Sequence, residues 1–303
     1  MHFGIIANFG RPDAVEAVST ILEWCDKNGH EAIVCENMMS ESNMNVRTVP
    51  RSELCVQSDI VISLGGDGTM LATARAIGEK EIPILGINLG YLGFLTQLTP
   101  EQLECALKRV VEDDFHIEER MLIKTKVIDG PQLESRYALN DVVIDKGGVS
   151  RVINISLYAN DEYICSYTAD GLIIATPTGS TAYSLAVGGP ILNPNMTAFI
   201  ASPISPFSLT SRPMIFPSDV MLEVRIRSEH GNANLTIDGQ VATNFSPTGI
   251  IRITQADHVV KFIKFEENSF YDILRRKLHW GRLPVVDYEK ADLLRKEPPN
   301  NHE

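Results

Sequence analysis

The sequence predicts an α/β amino-terminal domain on a mostly parallel sheet, followed by an all-β carboxy-terminal domain. Three observations carry this. Over residues 1–118, short apolar runs alternate with segments of helical spacing, the order in which crossover helices link parallel strands. Over residues 119–267 the runs are strand-like throughout and are separated by turn residues. The chain has 303 residues, 44% hydrophobic and 22% charged, enough for two cores of ordinary size.

The elements follow in order. HFGIIAN reads as a strand. After Arg11-Pro12-Asp13, the run AVEAVSTILEWCDKNG sets Val15, Val18, Ile21, Leu22 and Cys25 at helical spacing and stops at Asn28-Gly29. HEAIVCE is the next strand, and the polar segment 37–52 is expected to be loop-rich. DIVISLGG, TMLATARAIG, IPILGIN and TPEQLECALKRVVED continue the alternation; Thr99, Pro100 and Gln102 supply an N-cap, a first-turn proline and a capping-box partner. The expected result is a Rossmann-like sheet with helices on its faces. Beyond it, MLIKTKVI, SRYALNDVVID, VINISLYAN, EYICSYTA, GLIIATP, VMLEVRIR, ANLTID and GIIRITQ are expected strands of a sandwich-like domain. Turns are expected at Asp129-Gly130-Pro131, Lys146-Gly147-Gly148 and Asn160-Asp161. Residues 268–303 begin as a basic helix, YDILRRKLHW, and end in KEPPNNHE, where disorder is expected.

A formal net charge of −12 argues against nucleic acid or an anionic membrane as partner, while leaving room for one phosphorylated ligand at a local site. Cysteines stand at 25, 35, 55, 105 and 165 with no C-x-x-C pair, which points to reduced thiols in the cytoplasm and to neither zinc nor disulfides. Residues 1–10 lack the basic start and apolar run of a signal peptide. From Gly171 to Ser211 no Asp, Glu, Lys, Arg or His occurs. Prolines at 177, 190, 194, 203 and 206 rule out a spanning helix there, so this stretch is expected to be core and cleft lining.

Four segments can carry chemistry. LGGDGTML (64–71) joins a strand to a helix through glycines, so that backbone N–H groups and the helix dipole converge on an anion. It is neither a Walker A loop nor G-x-G-x-x-G. Asp67 within it suits a general base or a metal-linked carboxylate beside phosphates; the alternative is an ordinary turn with Asp67 capping the helix. Asn140-Asp141 can bind a ribose or form an Asx turn. TADGLIIATPTGSTAYSLAVGGP offers Asp170, the hydroxyls from Thr176 to Thr181, and Tyr183 as a stacking face. Asp238-Gly239-Gln240 is a weaker signal, since Asp-Gly is a common hairpin turn. Arg75 and Lys80, after the glycine turn, read as solvated cations.

On these segments the chain resembles the NAD kinase family. The resemblance rests on GGDGT at 65–69, Leu89-Gly90-Tyr91-Leu92-Gly93-Phe94, Asn140-Asp141, and DGLIIATPTGSTAYSLAVGGP from Asp170 to Pro190. Ser211-Arg212-Pro213 and the stretch from Lys277 to Trp280 extend it along nearly the whole chain. It implies transfer of the terminal phosphoryl group of ATP to the 2′-hydroxyl of the adenosine ribose of NAD, giving NADP, with Mg²⁺ or another divalent metal. Asp67 would activate the hydroxyl, with Gly65, Gly66, Gly68 and Thr69 at the phosphates. Phe94, Asn140, Asp141, Asp170, Thr178, Thr181, Ala182, Tyr183 and Gln240 would line the NAD site, Asp170 at the nicotinamide end. A homodimer or homotetramer is implied, with some contacts crossing between subunits. Two departures stand out: Asp141 occupies the place of a glutamate, and Phe207 stands where many members have histidine in a Pro-His-Ser/Thr-Leu run. GGDGT alone would also fit a lipid kinase, and binding without turnover would make the protein a pyridine-nucleotide sensor.

Overall fold

A computed structural model of the chain describes residues 1–36, 47–129, 136–147, 152–227, 233–245, 248–266 and 269–279. The chain divides into two compact units, Met1–Glu267 and Asn268–Glu303. The first unit opens with β1 (His2–Ala7), α1 (Ala14–Asn28), β2 (Glu31–Cys35), β3 (Thr48–Val49), α2 (Arg51–Gln57), β4 (Ile60–Gly65), α3 (Asp67–Ile77), β5 (Ile84–Asn88) and α4 (Leu103–Val111). It continues with β6 (His116–Asp129), β7 (Arg136–Ala138), β8 (Asp141–Asp145), β9 (Ile153–Ala159), β10 (Glu162–Ala169), β11 (Gly171–Ala175) and α5 (Tyr183–Ala186). Then come β12 (Ala198–Ile204), β13 (Met214–Pro217), β14 (Leu222–Arg227), β15 (Ala233–Ile237), β16 (Gln240–Phe245) and β17 (Thr248–Lys264). The second unit contains α6 (Phe270–Leu278), the basic helix expected there.

Among the described residues the strands form two sheets. The larger runs β10-β9-β14-β17-β5-β4-β1-β2-β3, with β6 on β17 and β7 on β6; pairing is parallel from β17 through β5, β4, β1 and β2 to β3. The smaller is antiparallel, β13-β12-β11-β8-β15-β16. The α/β and all-β parts are both present, and they share β17. Its first residues pair with β14, its end meets β5 at Phe262–Ile84, and β6 follows its other edge with register shifts that include one between Gln255 and Val259.

Local sequence explains much of this. α1 buries Ala14, Ala17, Val18, Ile21 and Cys25 against the sheet and stops where Gly29 turns left-handed at φ 72°, with the His30 N–H returning to the Cys25 carbonyl. Fully buried side chains such as Val18 and Ile21 each contribute about 1.5–3 kcal/mol. The capping box of Thr99 and Gln102 forms as expected, through one turn of 3₁₀ helix that leads into α4. Asn160 and Asp161 turn the β9–β10 hairpin at φ 47° and 68°. Core residues of α1 and α4 cover one face of the parallel sheet and those of α2 and α3 the other. A third cluster fills the space between the two sheets.

The differences from expectation are also physical. The anticipated boundary at 118/119 falls inside β6, because that strand runs from the parallel half into the antiparallel one. Within the segment expected to be loop-rich, Thr48–Val49 is a strand and Arg51 begins α2, while 37–46 lie outside the described residues. The expected turns at Gly130-Pro131 and Gly148, and the tail from Trp280 through KEPPNNHE, lie outside them too. β12 lies within the charge-free stretch and β13 follows it; β12 is buried on both faces and so shows no alternation. Among the described residues no helix is long and apolar enough to cross a membrane.

Candidate active site

β4 ends at Gly65, Gly66 is the N-cap of α3, and Asp67, Gly68 and Thr69 form the first turn of that helix. β1 lies between β2 and β4, so the turn sits at a topological switch point on the carboxyl edge of the parallel strands, the usual ligand crevice of such sheets. A Cβ placed on Gly66 or Gly68 would meet nothing within 4 Å, so the turn faces open space at a helix N-terminus. Thr69 is buried beneath it.

Asp67 does not cap its helix. Its carboxylate is held by the turn after β5: Oδ2 accepts the Phe94 N–H at 2.8 Å, and Oδ1 accepts those of Leu95 at 3.0 Å and Thr96 at 3.3 Å. The Thr96 hydroxyl donates to Oδ1 at 3.4 Å. A Cβ at Gly93 would lie 2.0 Å from Oδ1, so glycine at this place in LGYLGF is what lets the carboxylate close on the turn. Asp67 and Phe94 thus come together, joined through the Phe94 backbone.

Leu71, one turn beyond Asp67, lines a cleft of about 380 Å³ together with Asn140, Asp141, Ala182, Tyr183 and Asp238. Asp238 and Gly239 do form the β15–β16 hairpin turn, at φ 47° and 74°. The Asp238 carboxylate also reaches across to the start of β8, accepting the N–H groups of Leu139 (3.0 Å), Asn140 (2.7 Å) and Asp141 (3.2 Å). The Asp141 carboxyl is pushed up to about 7, first by burial and then by the charge on Asp238, while a Tyr183 N–H pulls the other way. Burial raises Asp238 as well, against its three N–H donors and Arg75. Those donors favour its anion, so Asp238 is the charged member of the pair and Asp141 the one that titrates. Arg75 is exposed, yet it donates to Gln240 Oε1 at 2.7 Å and ties α3 to the hairpin. Lys80 donates to the Ser52 carbonyl at 3.2 Å.

Thr178–Thr181 form a 3₁₀ turn leading into α5. The Thr176 hydroxyl donates to the Leu139 carbonyl at 2.5 Å and accepts the Gly179 N–H at 3.0 Å. Ser180 donates to the Pro177 carbonyl and Thr181 to the Thr178 carbonyl. The Thr178 hydroxyl accepts from the buried Arg120 guanidinium at 3.2 Å. The donors of Thr176, Ser180 and Thr181 therefore brace the turn itself, and Ala182 and Tyr183 are what it presents to the cleft. A Cβ on Gly179 would lie 2.0 Å from the Asn140 carbonyl oxygen, so the Thr-Gly-Ser turn packs directly on the Asn140-Asp141 segment.

Asp170 is not brought into this cleft. It precedes β11, whose far end, Ala175, faces Asp141, roughly 13 Å along the strand. There it pairs with Lys146 at 2.6 Å. Sequence reasoning missed Asp238 as an acceptor, Thr176 as a brace, and two buried cations, Arg120 and Lys264. The hairpin signal of Asp-Gly hid the first. For Arg120 and Lys264 nothing local distinguishes a buried cation from a solvated one on an alternating strand.

The ATP-NAD kinase N-terminal domain model matches residues 3–115 and the ATP-NAD kinase C-terminal domain model residues 139–265. The chain belongs to the NAD kinase family. An NAD kinase of Solibacter usitatus is 40% identical over 279 residues, 92% of this chain and 97% of that protein. The structure of yeast NADH kinase complexed with NADH superposes with a TM-score of 0.86 at 24% identity, covering 94% of this chain and 89% of that one. An NAD kinase from Archaeoglobus fulgidus in complex with ATP gives 0.72 at 26% identity, covering 92% and 98%. As a member of this family, the enzyme phosphorylates NAD to NADP at the expense of ATP.

Proposed function

We propose that Asp67 is the general base of this transfer, acting on the 2′-hydroxyl of the adenosine ribose of NAD. The hydroxyl oxygen forms a bond to the terminal phosphorus of ATP, its proton passes to the Asp67 carboxylate, and ADP leaves. The supporting observation is the carboxylate itself. It stands at the opening of a glycine turn suited to phosphates and is fixed by three backbone N–H groups and one hydroxyl. Gly65, Gly66, Gly68 and Thr69 are assigned to the phosphates. Phe94, Asn140, Asp141, Thr178, Thr181, Ala182, Tyr183 and Gln240 are assigned to NAD, with Asp141, neutral below about pH 7, as a donor to a ribose oxygen.

Among the described residues no three His, Cys, Asp or Glu side chains are grouped to hold a metal ion, and both Asp67 oxygens already accept N–H donors. These residues do not form a cage for the implied divalent ion. The ligands for Mg²⁺ or a similar ion would come chiefly from the phosphates of ATP, where it would offset their negative charge.

Asp170 is assigned to the nicotinamide end of a neighbouring subunit's NAD in a homodimer or homotetramer. It lies near the exposed Phe207, since the Phe207 N–H donates to the Thr168 carbonyl and the Asp170 N–H to that of Ile204. A cytoplasmic location accords with five cysteines that are all free thiols.

The test is Asp67→Asn, assayed for NADP with a coupled dehydrogenase and for NAD binding by calorimetry. Turnover is expected to fall by about two orders of magnitude or more, with NAD affinity changed by no more than a few-fold. Near-normal turnover would remove Asp67 from the role of base.

A further inference from the structure

Lys264 ends β17 beneath the turn that grips Asp67. The residue is 7% exposed, and its ammonium lies 3.4 Å from the Leu95 carbonyl oxygen and 5.9 Å from the centre of the Phe262 ring. Three charged groups face it: Arg120 and Glu118 of β6, and Asp67 at the start of α3. Burial and the neighbouring Arg120 draw its pKa down to about 8, against the attraction of Glu118 and Asp67. Arg120 is buried too, pairs with Glu118, and lies over the same Phe262 ring at 5.6 Å. Two cations therefore share one face of the β6–β17 pair. One is bonded to Thr178 and the other to Leu95.

The Leu95 residue is held from both sides: its N–H donates to Asp67 Oδ1 at 3.0 Å while its carbonyl accepts from Lys264. A buried ammonium with so few partners is a liability to stability that an apolar side chain of similar length would avoid. Its favourable effect is local, on the three-residue turn that determines where the Asp67 carboxylate points.

We infer that Lys264 is a positioning residue for phosphoryl transfer, holding the Phe94–Thr96 turn through the Leu95 carbonyl so that Asp67 stays aimed at the acceptor hydroxyl. This rests on the reading of Asp67 as the base. Lys264 touches neither substrate in this scheme, so its loss acts on the chemical step and leaves ground-state binding in place.

The experiment compares Lys264→Met, Lys264→Arg and Asp67→Asn in the purified full-length enzyme, with kcat and both KM values from NADP formation and thermal melts of each protein. Lys264→Met is expected to melt no lower than the parent and to lose about ten-fold or more in kcat, with KM for NAD and ATP within about three-fold. Lys264→Arg retains a cation on the Leu95 carbonyl and is expected to recover kcat to within about three-fold of the parent. Should the methionine variant not fold, Lys264→Gln, uncharged and polar, takes its place with the same expectations. A kcat for the uncharged variant within about two-fold of the parent, a loss confined to KM, or an arginine variant as damaged as the uncharged one would each overturn the inference. If Asp67→Asn is inactive while Lys264→Met is normal, only the role of Lys264 falls. If Asp67→Asn is itself active, the reading beneath it falls.

Discussion

Replacing Asp238 with asparagine removes one charge from the cleft while keeping the shape of the side chain. Asp238 Oδ1 accepts the N–H groups of Asn140 and Asp141, and Oδ2 that of Leu139. Asparagine retains one acceptor oxygen and turns an NH₂ group towards the remaining donor. At least one buried N–H then loses its partner, at a cost of about 1–3 kcal/mol. Against this stands Asp141, whose carboxyl rises from 3.8 to about 7 through burial and the charge on Asp238. A raised carboxyl contributes stability that is fully present below 3.8 and is lost as pH rises through about 7. The whole displacement amounts to about 4 kcal/mol at ~1.36 kcal/mol per unit; burial is the larger cause, leaving roughly 1–2 kcal/mol to the repulsion from Asp238. That portion disappears in Asp238→Asn, and only above the titration of Asp141. Urea unfolding of both proteins at about pH 5.5 and about pH 8.5 should therefore show a deficit of about 1–3 kcal/mol at the lower pH, smaller by roughly 1–2 kcal/mol at the higher. An equal deficit at both pH values would refute the coupling of the two carboxyls.

Other outcomes follow from the same contacts. Gly93→Ala sets a methyl group 2.0 Å from Asp67 Oδ1 and 2.5 Å from the Thr96 hydroxyl oxygen, so the carboxylate must leave its N–H donors. Steady-state kinetics should show kcat down by about ten-fold or more, and an unchanged kcat would contradict the aiming role of the Phe94–Thr96 turn. Thr176→Val keeps the side-chain shape but leaves the Leu139 carbonyl and the Gly179 N–H unpaired in a fully buried position. A loss of about 2–4 kcal/mol is expected by urea denaturation, with a higher KM for NAD because the Asn140-Asp141 segment is no longer braced. A loss below about 0.5 kcal/mol would show that these groups find other partners.

What could be read from the sequence was whatever declares itself within a few residues. The helical spacing of α1, its stop at Gly29, and the Thr99–Gln102 box each depend on neighbours along the chain. Elements without such local signals went unread. α2 is too short to show a period, and of β17 only GIIRITQ was read, since the alternation breaks at Ala256–His258, where the register shifts, before resuming towards β5. The same holds for the site. GGDGT and TPTGST advertise a phosphate turn and a binding loop by composition. That Asp67 is held by N–H groups 27 to 29 residues away was not visible, because backbone donors carry no residue type. Asp238 reaches 97 to 99 residues back to Leu139, Asn140 and Asp141, and its local role as a turn residue is correct but incomplete.

β17 bears on how the enzyme can move. One strand pairs with β14 near its start, with β5 near its end and with β6 along its other edge. The edge that carries the phosphate turn and the sandwich that carries the Asn140 cleft are therefore stitched by continuous backbone ladders. Swinging them apart would break backbone hydrogen bonds to three partner strands at once. Hinged opening between those two parts is therefore disfavoured, and the Phe94–Thr96 and Thr178–Thr181 turns, each held by its own hydrogen bonds, stand on a floor that stays still. Amide exchange in β17 should be among the slowest in the protein and indifferent to ligand.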